Sequence, residues 1–192
     1  MTEGQERILE AAGRCALRFT LGKTTIDDIA AEAGVSRATV YRTFPGGRDE
    51  IVAALVDLQV HRFLADLARH VQDAPDFETL LVDGLMYAHQ KMLDHTLLQR
   101  VLDVEPDLVV SELVRSDREV HGDVAQFIAG AMAGAELEPG VDVAEASGYL
   151  AHLVLSFIGN AGSWDLTDRA ETTRLVRSQF LPGIVRVAQT AG

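Results

Sequence analysis

Gly34 stands between two short segments that each read as a helix, and this arrangement constrains the chain more than any other feature. Before it, Thr25 offers a side-chain cap, and Asp27 and Asp28 favour the positive end of a helix dipole, so residues 26–33 are expected to be helical. After it, Ser36 is a second cap, and a helix is expected from 37 to about 44, where Pro45-Gly46-Gly47 stops it. Gly34 supplies the left-handed residue that a tight turn needs. Ala30 is small where the two helices would cross. Val35 can tuck under the turn, and Val40 and Phe44, four residues apart, face inward. Small, glycine and β-branched residues at these offsets close a helix-turn-helix, although other helical hairpins satisfy part of the same spacing.

The outer face of the second helix sharpens the reading. Each helical residue turns by about 100°. With Val40 inward, Ala38 and Arg42 lie on the far side, Thr39 and Tyr41 on the flanks, and Arg37 at the N-terminus. A small residue beside an arginine lets a helix lie deep in the major groove. Arg42 can pair with a guanine and Ala38 can touch a thymine methyl. Thr39, Tyr41 and the backbone amides near Ser36 suit phosphates. The competing account of the same residues is a surface helix with solvated arginines.

The rest of the chain is also helical in pattern, with no strictly alternating β-branched runs and no hairpin signals. The expected fold class is all-α, with about nine helices near 3–20, 26–33, 37–44, 48–71, 77–93, 95–104, 107–136, 142–160 and 168–188, the last kinked at Pro182. Residues 1–47 form the expected helix-turn-helix domain and 48–192 a C-terminal ligand-binding and dimerisation domain, with helix 48–71 as connector.

Charge limits how such a motif can work. The net charge is −12, yet residues 1–50 carry seven Lys/Arg against eight Asp/Glu, so the acid is concentrated beyond them. DNA affinity must come from a few placed cations rather than a basic face. All the cations except Lys23 and Lys91 are arginines, which grip phosphate and guanine in a fixed fork. A single cysteine, Cys15, rules out a disulfide within the chain and reads as a plain buried thiol on the apolar face of the first helix. No apolar run is long enough to span a bilayer and no signal-peptide core opens the chain, so a cytoplasmic location is expected.

These residues carry a resemblance. Arg7-Ile-Leu-Glu-Ala-Ala, followed by Thr24-Thr-Ile-Asp-Asp-Ile-Ala-Ala-Glu-Ala-Gly-Val-Ser-Arg-Ala-Thr-Val-Tyr-Arg-Thr-Phe, resembles the N-terminal domain of the TetR family of repressors over about residues 5–56. The resemblance implies a homodimer, a palindromic operator, and a C-terminal pocket whose ligand releases the DNA. It places Thr25, Ser36, Arg37, Thr39 and Tyr41 at positions that commonly contact DNA, and Arg48 where a lysine usually grips a phosphate. Arg42 stands where the family often has histidine, tyrosine or asparagine, and Pro45-Gly46-Gly47 replaces a more polar link.

The helix at 142–160 is apolar almost all round, so it must be covered on every side. One face can meet its own core and another a partner, with helix 168–188 joining it across a dyad. A central core helix in a monomer is the alternative. A pocket for a small hydrophobic effector is more faintly marked by Met86, Tyr87, His89, Gln90, Phe127, Met132, His152, Asn160 and Trp164, each of which also reads as ordinary core. No cofactor is expected. The chain has no nucleophile elbow, phosphate loop, His-Glu-x-x-His motif or dinucleotide fingerprint, and an enzyme is not expected. A metal site from His89, His121, His152 and Asp123, a helical adaptor, and an activator in place of a repressor are the other readings.

Overall fold

Eight helical elements and their turns account for the architecture, in a computed structural model that describes residues 1–19, 22–96 and 120–186. They are α1 (Glu3–Phe19), α2 (Ile26–Ala33), α3 (Arg37–Thr43), α4 (Arg48–Val71), α5 (Phe77–Asp94), α6 (120–132), α7 (Val143–Gly159) and α8 (Arg169–Leu175). The fold is all-α among the described residues, with one isolated antiparallel bridge between Leu137 and Val185. The expected helix at 95–104 and the first part of the one at 107–136 lie outside the described residues, except for His95 and Thr96.

The starts and stops follow the caps. Thr25 and Asp28 form a reciprocal capping box at the head of α2, Ser36 caps α3, Asp142 caps α7, and Asp168 caps α8. Gly34 closes α2 at φ 64°, a conformation that a Cβ would penalise.

The last helix departs from expectation. It was expected to continue to about 188, but α8 widens into a single π-turn at Val176–Phe180, and the helix ends there. Pro182-Gly183, with Gly183 at φ 77°, then turns the chain, so the proline terminates the helix rather than kinking it. Arg186 N donates to the Glu136 carbonyl at 2.8 Å and Glu138 N to the Ile184 carbonyl at 2.9 Å, which ties this segment to the turn after α6. The π-turn has a packing cause. In a regular α-helix Leu181 would point well away from Val176, whereas the wider turn brings Val176, Phe180 and Leu181 all into the core, each 1% exposed or less.

The chain divides into two compact units within α4, between Phe63 and Leu64. In the first, Ile8, Leu9, Ala12 and Ala16 of α1 pack with Ile29 and Ala30 of α2, Val40 of α3, Phe44, and Ile51 and Leu55 of α4. In the second, Leu81 and Leu85 of α5, Ile128 and Met132 of α6, Leu150 of α7, and Leu175 and Phe180 form a separate core. Among the described residues no helix is long and apolar enough to cross a membrane.

Candidate nucleic-acid interface

α3 is held by its own core residues and leaves the opposite face open. Val40 is fully buried and Phe44 nearly so, while Ala38 and Arg42 are exposed, Thr39 is half-buried, and Tyr41 is 40% exposed. Val35 packs under the turn, as its position requires. The inward and outward faces therefore fall where the helical angle puts them.

The polar side chains around this face are largely engaged with one another. The Asp28 carboxylate accepts from Thr25 N at 2.9 Å and from the Thr25 hydroxyl at 2.6 Å, and Asp28 N donates back to that hydroxyl oxygen at 3.2 Å. These bonds, the hydroxyl's first, hold the Asp28 carboxyl below the ordinary range. Ser36 Oγ accepts from Thr39 N at 3.1 Å and shares a 2.9 Å hydrogen bond with the Thr39 hydroxyl. Whichever of the two donates, one hydroxyl proton remains for an acceptor such as a phosphate.

The cations divide sharply. Arg14 and Arg18 of α1 both bond Glu32 of α2, and their hydrogen bonds hold the Glu32 carboxyl below its usual range. Arg37 Nη1 donates to both carboxylate oxygens of Asp27, at 3.0 and 3.3 Å, and its guanidinium carbon lies 5.5 Å from the Tyr41 ring centre. Hydrogen bonding to Tyr41, then the Asp27 charge, raises the Arg37 pKa. Arg48 Nη1 donates to the Gly22 carbonyl at 2.8 Å. Arg42, Lys23 and Arg7 make no ion pair among the described residues.

Two of these partners are invisible to sequence reasoning. The Asp27–Arg37 pair joins residues ten apart on different helices, and the Gly22 carbonyl carries no side-chain signal. The capping box was partly legible, since a threonine followed three residues later by an acid is its usual spacing. The Pro45-Gly46-Gly47 link also has a defined role. Gly46 N donates to Glu50 at 2.6 Å, and Gly47, at φ 67°, lies so close to Tyr41 that a Cβ there would sit 3.3 Å from the ring.

The family model of the bacterial regulatory proteins of the tetR family matches residues 8–55, the whole of α1 through α3 except the start of α1, and the first part of α4. Over 99 residues the chain is 31% identical to an uncharacterized HTH-type transcriptional regulator of Mycobacterium tuberculosis, covering 52% of this chain and 50% of that one. The chain thus spans about half the length of the curated relatives it first matches. A putative TetR-family transcriptional regulator from Mesorhizobium loti superposes with a TM-score of 0.65 at 15% identity, covering 97% of this chain and 100% of that chain. Residues 8–55 thus match the TetR family, and the fold of the described residues is like that of TetR-family regulators. A further fold match, at TM-score 0.57 and 16% identity over 90% of this chain and 97% of the other, is the transcriptional regulator FadR from Bacillus subtilis in complex with stearoyl-CoA.

The second unit gathers some of the residues expected to line an effector site and not others. Met132 is buried in the core, and Met86, Phe127 and Trp164 pack against the same cluster. Trp164 also lies under the Arg174 guanidinium, 5.2 Å from its ring centre. His89 has its Nδ1 buried without a hydrogen-bond partner. Tyr87 instead stacks on His70, with ring centres 4.3 Å apart. Gln90 is exposed. His152 sits on an exposed stripe of α7 with Glu145, Tyr149 and Ser156, and Asn160 caps the end of α7, its side chain accepting from Gly162 N at 3.0 Å. Within the single chain α7 leaves apolar side chains open: Tyr149 is 52% exposed and Val143 38%. Among the described residues no three His, Cys, Asp or Glu side chains are placed to hold a metal ion together.

Proposed function

We propose that this chain is a ligand-responsive DNA-binding repressor of the TetR family that reads a palindromic operator as a homodimer and is released by a small hydrophobic effector. Residues 1–47 carry the DNA contact in this reading, and 48–192 carry effector binding and dimerisation, with 48–71 as connector. The observation that carries it is Arg42, exposed beside Ala38 and without an ion pair among the described residues, on a helix whose other face is locked into the core. An arginine so placed is available to a guanine edge. Thr39, Tyr41, Ser36, Arg37, Thr25 and Arg48 surround it as phosphate and positioning groups. Thr25 gives both its hydroxyl proton and its N–H to Asp28 and so serves as a positioning group, whereas Arg48 keeps one bond to the Gly22 carbonyl and has further donors for DNA.

The partly exposed face of α7 supports the homodimer, since Tyr149 and Val143 offer apolar surface that a second copy would cover together with α8. Met86, Phe127, Met132 and Trp164 in the core of the second unit, and the buried, unpartnered Nδ1 of His89, support an apolar site with one polar anchor for the effector. A protein of the same fold holds stearoyl-CoA, a ligand with a long apolar chain.

In vitro selection from a random duplex library with the full chain tests the reading, and the expected product is an enriched duplex with two-fold symmetry. Arg42→Ala should lose about 1–3 kcal/mol of base discrimination at one position per half-site. Arg48→Ala should weaken every duplex alike and flatten the salt dependence by about one phosphate. Unchanged preference in Arg42→Ala would reassign the base reader. Enrichment of no sequence would remove the DNA-binding reading altogether.

A further inference from the structure

The open face of α3 is bordered by a carboxylate. Asp27, on the first turn of α2, reaches across to Arg37 on the first turn of α3, and the far side of Arg37 lies against the Tyr41 ring. Gly47, in the link to α4, stands where an added Cβ would lie 3.3 Å from the Tyr41 ring. Asp27 and Tyr41 thus flank the Arg37 guanidinium. The pair is also open to solvent, with side chains 59% and 67% exposed. Exposed ion pairs are weak and are weakened further by salt, so a phosphate or a base edge can compete for this arginine.

We propose that Asp27 is a specificity-determining residue of the DNA site, a positioning carboxylate that holds Arg37 against Tyr41 and yields it only to DNA that offers a better partner. The inference rests on the DNA-binding reading above. Its logic is a difference between two complexes. On arbitrary DNA, Arg37 stays shared with Asp27, and the carboxylate repels nearby phosphates. On the matched sequence, α3 seats deeply enough for Arg37 to gain a defined partner that outweighs the pair. A group that penalises all sequences and is relieved on one raises discrimination without adding a contact. The effect matters here because cations are scarce. With Arg14 and Arg18 bound to Glu32 and Arg48 bonded to the Gly22 carbonyl, Asp27 controls one of the few that remain.

The test titrates the full chain, Asp27→Asn, Asp27→Glu, Arg37→Ala and the Asp27→Asn/Arg37→Ala double variant. Each is measured across a salt series against the duplex enriched by selection and against a random-sequence duplex of equal length. Asp27→Asn is expected to tighten binding to the random duplex by roughly threefold to fivefold, the scale of one exposed ion pair. Its salt slope on that duplex should steepen by about 0.9, the scale of one added phosphate contact. On the selected duplex the change should be clearly smaller, so discrimination falls. Asp27→Glu, which keeps the charge, should keep most of the discrimination. In the Arg37→Ala background, removing the carboxylate should move both duplexes alike and leave their ratio unchanged. An unchanged ratio in Asp27→Asn, or the same change with and without Arg37, would overturn the proposal. If the wild-type chain enriches no duplex, the DNA-binding reading falls first; enrichment with an unchanged ratio removes only the role of Asp27.

Discussion

A hydroxyl has one proton, and the one on Thr25 is already donated to Asp28. That bond makes Thr25 first of all a helix cap. Thr25→Ala should cost about 1 kcal/mol of stability, read as a lower urea midpoint. The loss should depend on pH. The Asp28 carboxyl is held below its ordinary range by the Thr25 hydroxyl, so the cap's contribution is present at neutral pH and fades as pH falls through the folded-state value. The wild-type and Thr25→Ala midpoints should therefore converge in acid. At this scale the faces of α3 were legible, because Val40 and Phe44 fix the direction of Ala38 and Arg42 by angle alone. The partners of Arg37 and Arg48 were not. A long side chain chooses among acceptors that become neighbours only when α1, α2 and α3 have packed, and spacing along the chain does not encode that choice.

Helix ends were legible where a capping side chain or a glycine marked them, as at Thr25, Gly34 and Ser36. The end of α8 was not, because the π-turn answers to the burial of Leu181, which is a matter of tertiary packing. Two glycines separate conformation from contact at this scale. Gly34, at φ 64°, has open space where a Cβ would go, so Gly34→Ala should cost about 1 kcal/mol from backbone strain alone. Gly47, at φ 67°, has the Tyr41 ring 3.3 Å from where its Cβ would go, a tight contact. Gly47→Ala should carry the same strain and also displace the Tyr41 ring from Arg37. The checks are urea denaturation of both variants and binding to the selected duplex. Stability should fall similarly in the two, with binding lost further in Gly47→Ala.

At the scale of the molecule, the chain is acidic and α3 carries few cations, so on the proposed reading a single copy has little electrostatic hold on DNA. Pairing of two copies would multiply that hold. Tyr149→Glu, which places a charge on the most exposed apolar residue of α7, should give a monomer by sedimentation and weaken the selected duplex on the order of a hundredfold. A dimer of unchanged strength would move the interface elsewhere. Cys15 offers a different kind of access to the same molecule. It is the chain's single thiol, 1% exposed within the first unit, with burial first among the causes that raise its pKa. A thiol reagent can reach it only when α1 lifts from its neighbours, so the labelling rate under native conditions counts those openings. Operator DNA that binds the closed unit should slow labelling in proportion to its occupancy. The protein thus has a built-in clock for the stability of its first unit, and no residue has to be introduced to read it.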